Sequence, residues 1–446
     1  MVVPQTLEGL KSGEYRGAKK LKISGGLKEF PKEVLDLFDT LEILDFSNNE
    51  GLSSLPKDMS RLHRLKVAFF SDCSFTTFPS ELAQCRSLEM IAFKGNQMTT
   101  IPPNSLPRKL RWLILTNNAI TSLPASIGHC FRLQKCMLAG NKLSSLPEEM
   151  SHCRKLGLLR LSSNNLSSFP SWLFNLPELS FFSFAGNPCA PASVDNPTLD
   201  DIHWSSLSVQ HLLGEGASGI ISKGTWALPL EEKHVAIKLF KGEVTSDGLP
   251  LDEMNASIAA GKHSNLIDPI GKIQGHPEKK GLVLELIPSH YTNLGLPPTL
   301  DTCTRDSFHP ETVFTVAQCK GILIGIASAA EHIHAQGIAH GDLYAHNILT
   351  DKSGHALLGD FGAATIYGKN FENRDRIERM EVFAFGHLIE DLLGLVERTV
   401  GQDGGLMSEK DGHVIEGLNS LHYLCSNPVV FERPSFARVC EVLDAL

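Results

Sequence analysis

The sequence predicts two bodies of different construction: an α/β solenoid of short repeats over residues 1–187 and, past a linker at 188–206, a non-repeating domain over 207–446. Three observations predict this division. A hydrophobic–proline pair recurs, with Pro31, Pro56, Pro79, Pro102, Pro124, Pro147 and Pro170 spaced by 22 to 25 residues. That rhythm stops at Pro188, where a polar, proline-rich run Pro-Cys-Ala-Pro-Ala-Ser-Val-Asp-Asn-Pro-Thr begins. Beyond the run, carboxylates, an amide and a lysine gather in short motifs suited to holding phosphate.

The repeats come first. Ahead of each proline from Pro56 onward lies L-x-x-L-x-L-x-x-N-x-L-x-x-L-P, seen most cleanly in Leu110, Leu113, Leu115, Asn118, Ile120, Leu123 and Pro124. It returns as Leu133, Cys136, Leu138, Asn141, Leu143, Leu146, Pro147 and as Leu156, Leu159, Leu161, Asn164, Leu166, Phe169, Pro170. This period and pattern are those of a leucine-rich repeat solenoid. In such a unit L-x-L is a short strand whose leucines point inward, while the intervening residues face the concave surface. The asparagines Asn96, Asn118, Asn141 and Asn164 then turn inward to satisfy backbone groups at the bend, with Cys73 in that place in one repeat. Seven units and a last strand near Phe182 to Asn187 predict a short horseshoe arc with atypical capping ends. Its concave positions are Val67, Phe69, Met90, Ala92, Trp112, Ile114, Met137, Leu158 and Phe181, interrupted by Lys94, Lys135 and Arg160. So apolar a face predicts a protein partner on the concave side.

Ten cysteines need no disulfide or metal. Cys85, Cys130 and Cys153 each stand three residues before a strand leucine (Leu88, Leu133, Leu156), and Cys73 and Cys136 fall on inward positions. A buried thiol packs as a small apolar group, and no Cys-x-x-Cys pair occurs.

Composition bounds the rest. With 446 residues, 42% hydrophobic and 20% charged, the chain can hold several real cores. A net charge of −9 offers no general basic field for nucleic acid or anionic lipid. The start Met1-Val2-Val3-Pro4-Gln5 lacks a signal-peptide pattern, and the apolar stretch Ile322 to Ala330 is shorter than the roughly 20 residues that span a bilayer. These features predict a cytoplasmic protein with no nucleic-acid or membrane partner.

The second domain opens on Leu213-Gly214-Glu215-Gly216-Ala217-Ser218-Gly219-Ile220-Ile221, a G-x-G-x-x-G turn whose glycines let backbone amides approach phosphate oxygens. A dinucleotide-binding turn of this spacing would run into a helix. Here the chain continues into a second strand, His234-Val235-Ala236-Ile237-Lys238. Asp252 to Ala259 reads as a helix able to offer a carboxylate to Lys238, with Glu253 the first choice and Glu243 the fallback; Leu282 to Leu286 reads as a strand. Then follow His340-Gly341-Asp342-Leu343-Tyr344-Ala345-His346-Asn347 and Asp360-Phe361-Gly362.

In this order the motifs resemble those of protein kinases, over about 240 residues. The resemblance implies a bilobal α+β fold, ATP and magnesium as cofactors, and a protein substrate. It assigns Asp342 to the substrate hydroxyl, Asn347 and Asp360 to magnesium, and Lys238 to the α- and β-phosphates. Leu213, Gly214, Gly216, Gly219, Ile221, Ala236 and Glu285 would surround the nucleotide, and Glu253 would hold Lys238. Glu381-Val382-Phe383-Ala384-Phe385-Gly386 is similar to Asp-x-Trp-x-x-Gly, and Arg433-Pro434 to the arginine of the last helical segment. The single fusion without a membrane span resembles bacterial kinases of eukaryotic type.

There are departures. Gly341 stands where many kinases carry the arginine that pairs with a phosphorylated activation loop, so activation by that route is not expected. Tyr344 occupies the place of a lysine of serine/threonine kinases, and His346 that of an arginine of tyrosine kinases, which leaves serine/threonine preference open. Glu381 follows Asp360 by only 21 residues with no Ala-Pro-Glu between them, and Arg376-Ile377-Glu378 is at most a remnant of it. His-Gly-Asp-Leu is also similar to the loop of aminoglycoside and choline phosphotransferases, so a small-molecule phosphotransferase stays open. So does a pseudokinase scaffold in which the repeats bind and the second domain only transmits.

Overall fold

A repeat of 22 to 25 residues cannot bury its apolar face alone, so consecutive repeats stack and pool their leucines. The computed structural model, which describes residues 5–191, 199–242, 244–397 and 408–446, shows this in the first of two units, Met1–Glu178 with Asn187–Cys189. A short helix α1 (Leu7–Ser12), capped by Thr6, precedes one three-residue strand per repeat. These are β1 (Lys20–Lys22), β2 (Ile43–Asp45), β3 (Val67–Phe69), β4 (Met90–Ala92), β5 (Trp112–Ile114), β6 (Lys135–Met137) and β7 (Leu158–Arg160). Each pairs in parallel with the next, in a register that lines up Leu21, Leu44, Ala68, Ile91, Leu113, Cys136 and Leu159. All seven are 0% exposed. Pro31, Pro79, Pro124, Pro147 and Pro170 stand at the start of short 3₁₀ turns on the return path, where a fixed φ and a missing N–H cost nothing.

Between strand and turn the asparagines form a ladder. Asn141 Oδ1 accepts from Ile120 N at 3.0 Å, and its Nδ2 donates to Leu115 O at 2.9 Å and Leu138 O at 3.0 Å. Asn96, Asn118 and Asn164 repeat this. So do Asn49 and Asn187, which the sequence pattern had not singled out. Cys73 substitutes weakly, with Sγ donating to Phe46 O at 3.3 Å. Asn141→Ala is expected to take the acceptor from the buried Ile120 N–H and one of two amide donors from each of the Leu115 and Leu138 carbonyls, which keep Asn118 and Asn164, lowering solenoid stability by about 1–3 kcal/mol. A fall in the midpoint of the urea unfolding transition checks this.

The cysteines are free thiols, as expected. Burial pushes the thiols of Cys85 and Cys130 up to about 11 and that of Cys153 to about 12, so these are core atoms and not nucleophiles. Of the concave positions, Val67, Met90, Ala92, Leu158 and Phe181 are buried, while Phe69, Trp112, Ile114 and Met137 are half-buried. Lys135 Nζ lies 4.5 Å above the Trp112 ring, whose Nε1 donates to Met137 Sδ at 3.4 Å.

The second unit comprises Leu179–Gly186 and Ala190–Leu446. Its strands are β8 (Phe181–Ser183), β9 (Asp200–His203), β10 (Leu207–Glu215), β11 (Gly219–Ala227), β12 (Glu232–Phe240), β13 (Pro269–Gln274), β14 (Gly281–Glu285), β15 (Thr292–Asn293), β16 (Ile338–Ala339), β17 (Ile348–Thr350), β18 (Ala356–Leu358) and β19 (Thr365–Ile366). Its helices are α2 (Pro250–Ala260), α3 (Val316–Ala335), α4 (Arg374–Gly394), α5 (Glu409–Cys425) and α6 (Phe436–Ala445).

One lobe is an antiparallel sheet ordered β10-β11-β12-β14-β13, with β9 added in parallel at the β13 edge. The expected linker at 188–206 is therefore partly strand. Ile202 packs with Val235, Ile237, Ile273 and Val283 in the core of this sheet. On the other side Phe240, Leu282 and Ile258 of α2 form a second cluster. Helix α2 starts at Pro250, a residue pre-set for a first turn, and stops at Gly261 with φ +68°. The other lobe is helical around α3, whose start is fixed by a capping box between Thr315 and Gln318. Among the described residues no helix is long and apolar enough to cross a membrane.

Candidate active site

The turn joining β10 and β11 closes with Gly216 N donating to Gly219 O at 3.0 Å. A Cβ on Gly219 would meet Leu239 O at 2.7 Å, so the sheet itself requires that glycine. Added at Gly214 or Gly216, a Cβ would meet nothing within 4 Å. Those two glycines leave open space, which is what a phosphate-covering turn needs.

Below the turn lies a cleft lined by Gly216, Gly219, Ile221, Lys238, Glu253 and Asp360. Strand β12 pairs with β11 so that Lys238 faces Ile221 across the ladder. The Lys238 ammonium donates to Glu253 Oε1, and this pair is largely sealed from solvent, at 12% and 2% side-chain exposure. Burial, helped by the nearby Asp360, raises the Glu253 carboxyl, while Lys238 pulls the other way. Of the two carboxylates weighed for Lys238, Glu253 is the one that pairs with it here, and the fallback Glu243 lies outside the described residues.

Asp360 is exposed to the cleft and sits at φ +54°, a conformation that an Asp tolerates when its side chain bonds locally. Its Oδ1 accepts from Gly362 N at 3.2 Å. Asn347 Nδ2 donates to both the carbonyl and Oδ2 of Asp342 at 2.9 Å. That ties the two loop side chains together and engages the Asn347 amide N–H groups, leaving Oδ1 as the oxygen the side chain can offer. The Asn347 Oδ1 and the Asp360 carboxylate are hard oxygen donors, the kind magnesium prefers. The residues present therefore fit a magnesium–nucleotide complex.

Not every expected residue reaches the cleft by its side chain. Glu285 is turned outward, its Oε1 accepting from Lys233 Nζ at 2.7 Å. Ala236 is buried between β11 and β14, and Leu213 is exposed on β10. Thr245, Asp247, Ser257 and Leu284 also line the cleft; no motif marked Thr245 or Asp247, while Ser257 and Leu284 lie on the helix and the strand read from the sequence, with no role assigned to them there.

Behind the loop stands Glu381 on α4, 2% exposed. It accepts from His340 N at 3.1 Å, from Gly341 N and from His334 Nε2 at 2.6 Å. Burial alone would raise the carboxyl. The His334 and His340 imidazoles and the Gly341 N–H outweigh it and hold it below the usual range. His340 Nε2 bonds Gly359 O at 2.8 Å, which ties the loop to the end of the strand before Asp360. His346 bonds Asp306 at 2.8 Å, and Asp306 also accepts from Ala345 N. Burial opposes charge on His346, but Asp306, with Asp342 and Asp360 beyond, raises its pKa overall. Asp306 lies 40 residues upstream of His346, in a stretch without periodicity, and nothing in the sequence flagged it. Arg433, 1% exposed, is held by Asn427 O at 2.8 Å, by Arg379 O at 3.2 Å and by the Phe383 ring at 4.3 Å. Glu378 accepts from Phe436 N at 2.7 Å.

An antiparallel sheet bearing a lysine–glutamate pair, stacked on a helical lobe that carries an aspartate–asparagine loop and a left-handed Asp-Phe-Gly, is the architecture of protein kinases. Comparison with known families agrees. The protein kinase domain family matches residues 207–382, and the leucine rich repeat family matches residues 108–166. The chain carries a leucine-rich repeat region followed by a protein kinase domain. It is 28% identical to cyclin-dependent kinase 11.2 of Caenorhabditis elegans over 40% of this chain and 25% of that one. It is 25% identical to L-type lectin-domain containing receptor kinase V.4 of Arabidopsis thaliana over 54% and 42%. To receptor kinase V.5 of the same plant it is 30% identical over 36% and 23%. The chain thus spans less than half the length of each of these relatives.

Proposed function

We propose that this chain transfers the γ-phosphoryl group of ATP to serine or threonine of a protein, acting in the cytoplasm with magnesium. The observation that carries this is the convergence of Lys238, Glu253 and Asp360 on one cleft below the glycine turn. Lys238, held by Glu253, binds the α- and β-phosphates; Asn347 and Asp360 would hold the metal. Bound magnesium would neutralise charge on the β- and γ-oxygens. Asp342, fixed by Asn347, orients the attacking hydroxyl and takes its proton. The amides of the glycine turn cover the phosphates and keep water out.

The test is radiolabelled ATP with purified full chain, read on the chain itself, on generic proteins, and on aminoglycosides and choline. Label on serine or threonine of protein is the expected result. Label on the small molecules alone would make the chain a small-molecule phosphotransferase, and nucleotide binding without transfer would make it a scaffold.

The same proposal gives the repeats a recruiting role through the concave face, with Trp112 and Met137 at its middle. Trp112→Asp is expected to lose proteins that co-purify with the full chain while transfer to a generic protein is unchanged. If every partner stays bound, docking lies elsewhere.

A further inference from the structure

We infer that Leu179–Gly186 is an intramolecular brace that holds the catalytic loop and the strand after Asp-Phe-Gly, doing for this kinase what a phosphorylated activation loop does for others. It rests on the kinase reading above. Phe181 and Phe184 are its positioning residues.

By its contacts the segment belongs to the second unit, although it precedes the kinase motifs in sequence. The Phe181 ring stacks flat on Tyr344 of the catalytic loop, centroids 3.8 Å apart and planes at 10°. Both rings are buried, at 2% and 5% exposure. One residue on, the Phe182 carbonyl passes so near Gly341 that a Cβ there would sit 3.0 Å from it and 2.5 Å from Ala363 O. Gly341 also holds φ +74°. The glycine that replaces the kinase arginine is thus required by its positive φ and by Ala363 O, and the Phe182 carbonyl of the passing segment narrows the same space further, so an arginine side chain has no room to leave the backbone. Ser183 Oγ donates to Asp247 O at 3.4 Å, beside the cleft. Phe184 N donates to Thr365 Oγ1 of β19 at 3.0 Å, and Thr365 is 0% exposed. The Phe184 ring lies 5.8 Å from Phe371.

Three separate pieces of the catalytic machinery are thus tied to one short strand. The need for such a tie is visible in the chain length: Glu381 follows Asp360 by only 21 residues, too few for a long activation loop to fold back and pack. The contacts fall on residues flanking Asp342, which stays half-exposed, so the segment supports the loop without covering its carboxylate.

The test uses the full chain and three variants. Phe181→Leu keeps an apolar group but removes the stacked ring. Thr365→Val keeps the volume but removes the acceptor, and Thr365→Ser keeps the acceptor but loses a methyl. With Phe181→Leu and Thr365→Val, kcat is expected to fall about tenfold or more, since loop misplacement acts on orientation. KM for ATP should stay within about twofold. Amide hydrogen exchange should rise in peptides covering 340–347 and 361–371 and not elsewhere. Thr365→Ser should behave nearly as wild type. Unchanged or raised rates, Thr365→Ser worse than Thr365→Val, or exchange rising throughout the domain would each overturn the brace. Because exchange needs no turnover, a chain that transfers nothing still decides the brace, and its silence counts only against the kinase reading.

Discussion

Asp342→Ala is expected to lower phosphoryl transfer to protein by about a hundred- to ten-thousand-fold, the range for removing a positioned general base. The effect belongs to the chemical step. Asp342 is not among the groups lining the nucleotide cleft, and its Oδ2 is fixed by Asn347 at 2.9 Å, so it is aimed and not merely present. ATP affinity, measured by calorimetry, should change by no more than about threefold, which makes the loss one of kcat. A variant that transfers label as fast as wild type would remove Asp342 from the mechanism. One that loses ATP binding equally would show that the loop had collapsed.

Lys238→Met is the second large effect, and it has two parts. Removing the ammonium strands the Glu253 carboxylate at 2% exposure, and breaking a buried pair from one side costs about 3–5 kcal/mol. Transfer should vanish with it, because among the described residues of β12 Lys238 alone lines the cleft. The two parts separate in Lys238→Met combined with Glu253→Gln, which should regain thermal stability but no transfer. pH gives an independent check. Burial already holds the Glu253 carboxyl above its ordinary range, so without Lys238 it takes a proton more readily. A group whose folded pKa is raised loses stability as pH rises through that pKa. The deficit of Lys238→Met should therefore shrink as pH is lowered toward the carboxylate range, as read from melting temperature against pH.

The two halves were legible for different reasons. The repeats could be read almost atom by atom, because a 23-residue period fixes which leucine and which asparagine face inward, and the ladder found in the structure follows it. Asn49 escaped because its repeat is irregular, with Glu50-Gly51 where the others carry one small or polar residue. In the kinase half, short motifs drew attention to Lys238, Asp342, Asn347 and Asp360, and the helix pattern pointed to Glu253, which pairs with Lys238 in the structure. The supporting groups were invisible for a physical reason. Asp306 and Glu381 act on the catalytic loop from 40 residues away in opposite directions, and the contact is made by backbone N–H groups that every residue possesses. The same holds for Phe184 and Thr365, 181 residues apart. Glu285 was placed by its strand, which is right, but strand alternation turned its side chain to Lys233.

The asparagine ladder carries a last consequence. Every rung bonds backward to the preceding unit through groups that all units share, so no rung is specific to its neighbour. Excising Leu133–Lys155, one 23-residue period, or inserting a second copy of such a stretch in phase, would join faces of the same pattern. Length along this half is for that reason an adjustable ruler: gene duplication or slippage can lengthen it one notch at a time without redesigning a single interior contact.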